Sequence, residues 1–349
     1  MSRRARHITA PSPSRRVRRL GRGATTALVA ATTFGTLFAA SSGGAQTRVE
    51  PSGAAGARLA RVVSTPAPVC QSVAATATSK ARTSCLAWSV RDTWAGHEPV
   101  VAVLDFHPQG QAAGVYAYAG WMRTAATVLG LYLGYEGPGT TTLSRGPEEV
   151  PATGLSRLLA TFNSGFYEKD GAAGFFTNHT LYYPMIKGLA TVLRYTDGTV
   201  GITQWEGGPT PGPTVVMARQ NLPLLVNNSA PTPSTANNYA WGLTLHGVAA
   251  VWRSALGIDR NGNLIYAAAP AQTAASMASV MVQLHCVRAM ELDINPEWPI
   301  FVTYAGPGAR SPTLDVPNPN QIPNRFLYTS TKDFFAVFLS RGPGDPQPW

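Results

Sequence analysis

From Pro99 onward, short apolar runs alternate with turns rich in Gly, Pro and Asn, and this punctuation constrains the fold more than any other feature. The runs at 100–106, 114–118, 188–195 and 199–204 have the length and composition of strands. Residues 194–200 form a hairpin signal, because Asp197-Gly198 accepts the positive φ of a tight turn. A second hairpin is expected over 256–266, around Asn261-Gly262, and the proline-rich stretches 207–213 and 229–234 read as loops. Two helices are expected. One covers 154–160, where Leu155, Leu158 and Leu159 stand at helical spacing. The other starts after Thr273 as N-cap and places Met277, Val280, Met281 and Leu284 on one packing face. A short strand follows at 287–293. With no fixed-period repeat, the expected fold class is α+β, a strand-rich mixed sheet core with a few packed helices in a single domain.

Charge separates the chain into parts. Only 13% of residues are charged, which excludes a charge-laced helical or coiled-coil protein. The net charge of +10 points first to nucleic acid. Eight arginines fall in residues 1–45 with no acid among them, so the remainder carries 20 basic against 18 acidic residues. Nucleic acid is therefore not expected as a partner. An uncharged run at 24–40 follows the arginines, and Gly43 and Ala45 give a small-x-small site before Gln46. Residues 1–45 read as a signal peptide, of Sec or twin-arginine type. Residues 46–66, rich in Ala, Gly, Ser and Pro, read as a flexible linker, and 67–349 as the functional domain. The expected location is secreted or extracytoplasmic, with membrane contact only through an uncleaved signal. In that oxidising setting Cys70 and Cys85 are spaced to close a short disulfide loop, and Cys286 reads as a buried free thiol.

The six histidines show no metal-ligand spacing, so neither a metal nor a cofactor is expected. No nucleophile elbow, P-loop or dinucleotide fingerprint occurs. Three constellations can carry chemistry. Asn163, Ser164 and Gly165 make a small polar turn between aromatic anchors, able to bring N–H groups to an anionic or sugar oxygen. Arg253 lies in an apolar strand, where it needs either an acidic partner or an anion. In the strand end 291–298, alternation puts Glu291, Asp293 and Asn295 on one face. Two such carboxylates repel, which suits acid/base or nucleophilic sugar chemistry. A solvated strand end, or an ion pair with Arg253 or Arg288, fits the same residues.

The order of these elements is itself informative. Phe162-Asn163-Ser164-Gly165-Phe166-Tyr167, then Gly174-Phe175-Phe176, then 221–227, then Trp252-Arg253-Ser254-Ala255-Leu256-Gly257-Ile258-Asp259-Arg260-Asn261-Gly262-Asn263-Leu264, a helix, and Ala289-Met290-Glu291-Leu292-Asp293 resembles the phosphodiester glycosidase family over roughly 98–305. Ser164 stands where the family has glycine, Ser254 where it has Thr, and Ile294-Asn295-Pro296-Glu297-Trp298 where it has a Gly-rich loop. The resemblance implies a divergent hydrolase cleaving a sugar-1-phosphodiester of a cell-envelope or extracellular glycan. Asp293 and Glu291 would be catalytic, and Asn163, Ser164, Gly165, Arg253, Asn295 and Trp298 would hold a carbohydrate or sugar-phosphate substrate. The rebuilt loop leaves a second reading, an inactive glycan- or envelope-binding protein of the same fold.

Overall fold

The alternation of apolar runs and tight turns folds into antiparallel sheets. The computed structural model describes residues 65–73, 79–80, 82–94, 98–171, 173–242, 247–305 and 308–349. The expected signal at 1–45 lies outside the described residues, as does all of the expected linker except residues 65 and 66. The described residues belong to one unit, Leu59–Trp349. The strand-rich α+β fold expected from sequence is what forms. Every strand pairing among these residues is antiparallel, a narrower arrangement than the mixed sheet expected.

An eight-stranded sheet has Val251–Asp259 near its middle, paired to Leu264–Gln272 on one side and Cys286–Glu291 on the other. A five-stranded sheet centres on Leu158–Asn163 and Phe334–Leu339, and a second five-stranded sheet holds the hairpin of Ala190–Tyr195 and Val200–Gln204. The inner faces share one core. Phe162 and Phe335 meet Leu256, Tyr266 and Met290 there, with Phe175, Val192 and Met217 from the third sheet. Phe162 stands 5.1 Å from Phe335 and 5.3 Å from Tyr266, ring centre to ring centre.

The only α-helix among the described residues, Ala274–Gln283, begins where expected. The Thr273 hydroxyl accepts from the Ser276 N–H at 3.2 Å, and the Ser276 hydroxyl accepts from the Thr273 N–H at 2.9 Å. Its buried Met277, Val280 and Met281 pack on the outer face of the large sheet. Close approach there demands a glycine in mid-strand: a Cβ on Gly257 would stand 2.4 Å from Cys286 Sγ. Cys286 is buried and free, and Cys70 is joined to Cys85 across the hairpin of Val69–Val73 and Arg82–Leu86.

The helix expected at 154–160 does not form. Leu155–Arg157 is a single 3-10 turn, and Leu158–Asn163 is a strand buried on both faces. A strand covered on both sides loses the apolar–polar alternation that identifies strands, and three leucines then mimic a helical stripe. The run expected at 114–118 is displaced too, the strand being Ala117–Met122.

Candidate active site

The strands converge at one end. Phe334 pairs with Asn163, and Ala255 with Glu291, so the turn after Asn163, the segment after Glu291 and the residues before Phe334 lie together. Asn163 is the clamp. Its Oδ1 accepts from the Tyr266 hydroxyl at 2.8 Å and the Ile300 N–H at 3.2 Å. Its Nδ2 donates to Ser254 Oγ at 2.9 Å and to the Ser164 carbonyl at 3.0 Å. Ser254 Oγ donates in turn to the Asp293 carbonyl at 2.7 Å, and the Asp293 N–H donates to the Ser164 carbonyl at 3.1 Å. These bonds fix the backbone of Asp293 from two sides. Asn163, Ser164 and Gly165, expected to touch substrate, instead form the buried mount beneath it; a Cβ at Gly165 would crowd Asn221 at 3.2 Å.

The strand ends at Glu291, so the alternation expected through 295 breaks there. Asp293 turns toward a cleft of about 910 Å³, lined also by Tyr167, Lys169, Asn295, Glu297, Trp298 and Lys332. Glu291 points into the interior and forms a wholly buried ion pair with Arg253. The Arg253 guanidinium has other partners inside the protein: it donates to the Gln272 carbonyl at 3.1 Å, the Trp241 carbonyl at 2.9 Å and Asn238 Oδ1 at 3.1 Å. The sequence left Arg253 a choice between acid and anion, and its partner is the acid. Neither Arg253 nor Glu291 lines the cleft, so the expected roles of phosphate holder and second catalytic carboxyl have no geometric footing.

The cation beside Asp293 is Lys332, which sequence reasoning missed. Its ammonium is hydrogen-bonded to Asp293 Oδ2 and sits 3.9 Å from the centre of the Tyr167 ring and 5.4 Å from that of Trp298. Asp293 Oδ1 accepts from the Asn295 N–H at 2.9 Å. Burial pushes the Asp293 carboxyl above its ordinary range; Lys332 and the Asn295 bond offset part of that, and Asp333 adds to it. Burial likewise raises Glu291, to about 8, against the pull of Arg253. Asp333 is held by Arg219 Nε at 2.9 Å, and Arg219 also donates to the Phe166 carbonyl at 2.7 Å. A buried cation thus braces the turn carrying Tyr167. The sequence signal for Lys332-Asp333 is faint: two charges immediately before the wholly apolar strand Phe334–Leu339.

A smaller cleft of about 560 Å³ opens at the other end of that strand, lined by Arg194, Asp197, Arg341 and Asp345 among others. Its carboxylates are engaged, Asp345 by Arg157 and Asp197 by Thr199. No group of three His, Cys, Asp or Glu among the described residues is placed to hold a metal ion.

Fold and site thus define a class: an antiparallel-sheet protein presenting a lysine-paired aspartate in an aromatic-lined cleft. Residues 156–293 match the family model described as phosphodiester glycosidase. That stretch ends on Asp293 and agrees with the resemblance that the order of motifs carries. Among solved structures, the zebrafish N-acetylglucosamine-1-phosphodiester alpha-N-acetylglucosaminidase catalytic domain, auto-inhibited by its pro-peptide, is 15% identical. That match covers 73% of this chain and 87% of that one, at a TM-score of 0.48. A hypothetical protein from Synechocystis is 12% identical over 78% of this chain and 68% of its own, at a TM-score of 0.36. None of the curated protein sequences matches.

Proposed function

We propose that this protein is an exported hydrolase that cleaves sugar-1-phosphodiesters of a cell-envelope or extracellular glycan. The observation that carries the proposal is the Asp293–Lys332 pair at the cleft wall, one anion and one cation beside aromatic faces. A phosphodiester leaving group has a low pKa, so its departure needs little protonation by an acid. One carboxylate at the anomeric carbon then suffices, as nucleophile or as base for water. When Asp293 acts as base, the water oxygen bonds to the anomeric carbon, its proton passes to Asp293, and the C–O electron pair leaves with the phosphate. Lys332, with Lys169 beside the same Tyr167 ring, stabilises the phosphate charge. Asn295 and Trp298 line the sugar side.

Residues 1–45 supply the export signal and 46–66 the linker in this reading, with 67–349 as the working domain. The Cys70–Cys85 bond fits an oxidising destination. No helix among the described residues is long and apolar enough to cross a membrane. A second reading, a glycan-binding protein without turnover, draws on one feature: both Asp293 oxygens already have partners, in Lys332 and the Asn295 N–H. Incubating the secreted protein with a panel of sugar-1-phosphodiesters separates the two. Sugar release supports the hydrolase, and binding of the same glycans without release supports the second reading.

A further inference from the structure

The lysine of the cleft belongs to a segment that continues outward as an aromatic strip. Residues 134–137 lie along residues 330–332: the Tyr135 N–H donates to the Ser330 carbonyl at 2.9 Å, and the Glu136 and Gly137 N–H groups donate to the Thr331 carbonyl, each at 3.0 Å. The contact is close, since a Cβ on Gly134 would stand 2.4 Å from the Lys332 nitrogen. The Tyr135 hydroxyl meets Thr331 Oγ1 at 3.3 Å, yet the residue is 51% exposed. Tyr328, on the approach to the same segment, is 64% exposed. Three residues before Tyr328, the Arg325 guanidinium covers the ring of the cleft residue Trp298 at 4.9 Å, and Trp298 meets Tyr167 edge-on at 6.3 Å.

Single exposed aromatics are ordinary on protein surfaces. Here one, Tyr135, stands on the run 134–137 that is bonded to 330–332, and the other, Tyr328, lies two residues before Ser330. The Tyr135 main chain is already held by its bond to Ser330, and the Ser330 N–H next along from Tyr328 is held by the Glu148 carbonyl at 2.7 Å, so a ligand ring laid there costs little further freedom. An aromatic face flanked by hydroxyls offers an apolar plate for the C–H face of a sugar and hydrogen bonds for its rim. No acidic side chain belongs to the segment 328–332.

The geometry points to Tyr135 and Tyr328 as a subsite for further saccharide units, making the substrate a glycan chain rather than a single capped sugar. This rests on the proposed reading of the Asp293 cleft and adds to it a preference for length. The test compares two phosphodiesters with the same reacting sugar, one carrying no further units and one carrying a trisaccharide. The wild type is expected to have a KM roughly tenfold lower for the longer substrate. Tyr135→Ala combined with Tyr328→Ala erases that difference; Tyr135→Phe, which keeps the ring, retains it, and so does Tyr116→Ala at an exposed tyrosine packed on His107. Equal KM values in the wild type, or an undiminished preference in the double variant, overturn the subsite. Should no phosphodiester be hydrolysed, the hydrolase reading fails alone. Calorimetric titration with the free trisaccharide and monosaccharide then reads the same preference, its loss in the double variant supporting the subsite and its absence in the wild type overturning it.

Discussion

The site turns on where two carboxyls and two cations were sorted. Asp293 and Glu291 are two residues apart, yet one meets the cleft with Lys332 and the other meets the interior with Arg253. Because burial lifts the Asp293 carboxyl above 3.8 and only its ionised form can act, kcat/KM should fall as pH drops, with the midpoint above the ordinary carboxylate value. Lys332→Gln removes the main opposing influence, so the same limb should move to still higher pH while kcat falls; a pH–rate profile of both proteins checks this. An unmoved limb would mean that Lys332 does not govern Asp293. For Glu291 the consequence is stability. Its folded pKa of about 8 exceeds its ordinary 4.5, so the unfolded chain releases this proton first as pH rises. The contribution is fully present below pH 4.5 and is lost progressively toward pH 8, a decline that Glu291→Gln should flatten in denaturant midpoints taken across that range. Arg253→Met, which leaves the buried Glu291 carboxyl and the Gln272, Trp241 and Asn238 acceptors without their donor, should cost about 3–5 kcal/mol, whereas replacing both Arg253 and Glu291 by apolar residues should cost less.

Elements differ in how openly the sequence announces them. The helix Ala274–Gln283 is legible because a cap and an apolar stripe agree, and Thr273→Ala should lower unfolding free energy by about 1 kcal/mol in urea titration. Both hairpins are legible through Asp197-Gly198 and Asn261-Gly262. Leu158–Asn163 is not, since a strand covered on both faces carries no alternation to read. The motif residues were found, but the role of each depends on pairings that join distant segments. Asn163 becomes a clamp because Tyr266 and Ile300 reach it, and Lys332 enters the site because Phe334 pairs with Asn163. A side chain placed by a partner so distant in sequence leaves at most a faint local trace, here two charges ahead of an apolar strand.

For the whole molecule, the net charge of +10 divides into eight arginines within residues 1–45, which the proposed function takes as an export signal, and 20 basic against 18 acidic residues in the remainder. The secreted protein should therefore begin near Gln46 and carry Cys70 linked to Cys85, both read by intact-mass and peptide mapping; retention of residues 1–45 would assign the arginines another role. The central claim, that Asp293 performs sugar-1-phosphodiester hydrolysis beside Lys332, has one direct measurement. Release of sugar from a sugar-1-phosphodiester is followed for the wild type and for Asp293→Asn, with circular dichroism to show that the fold is retained. The account predicts turnover in the wild type and a loss of at least a hundredfold in a folded Asp293→Asn protein, roughly the effect of removing a positioned acid–base group. Turnover that survives this substitution would contradict it.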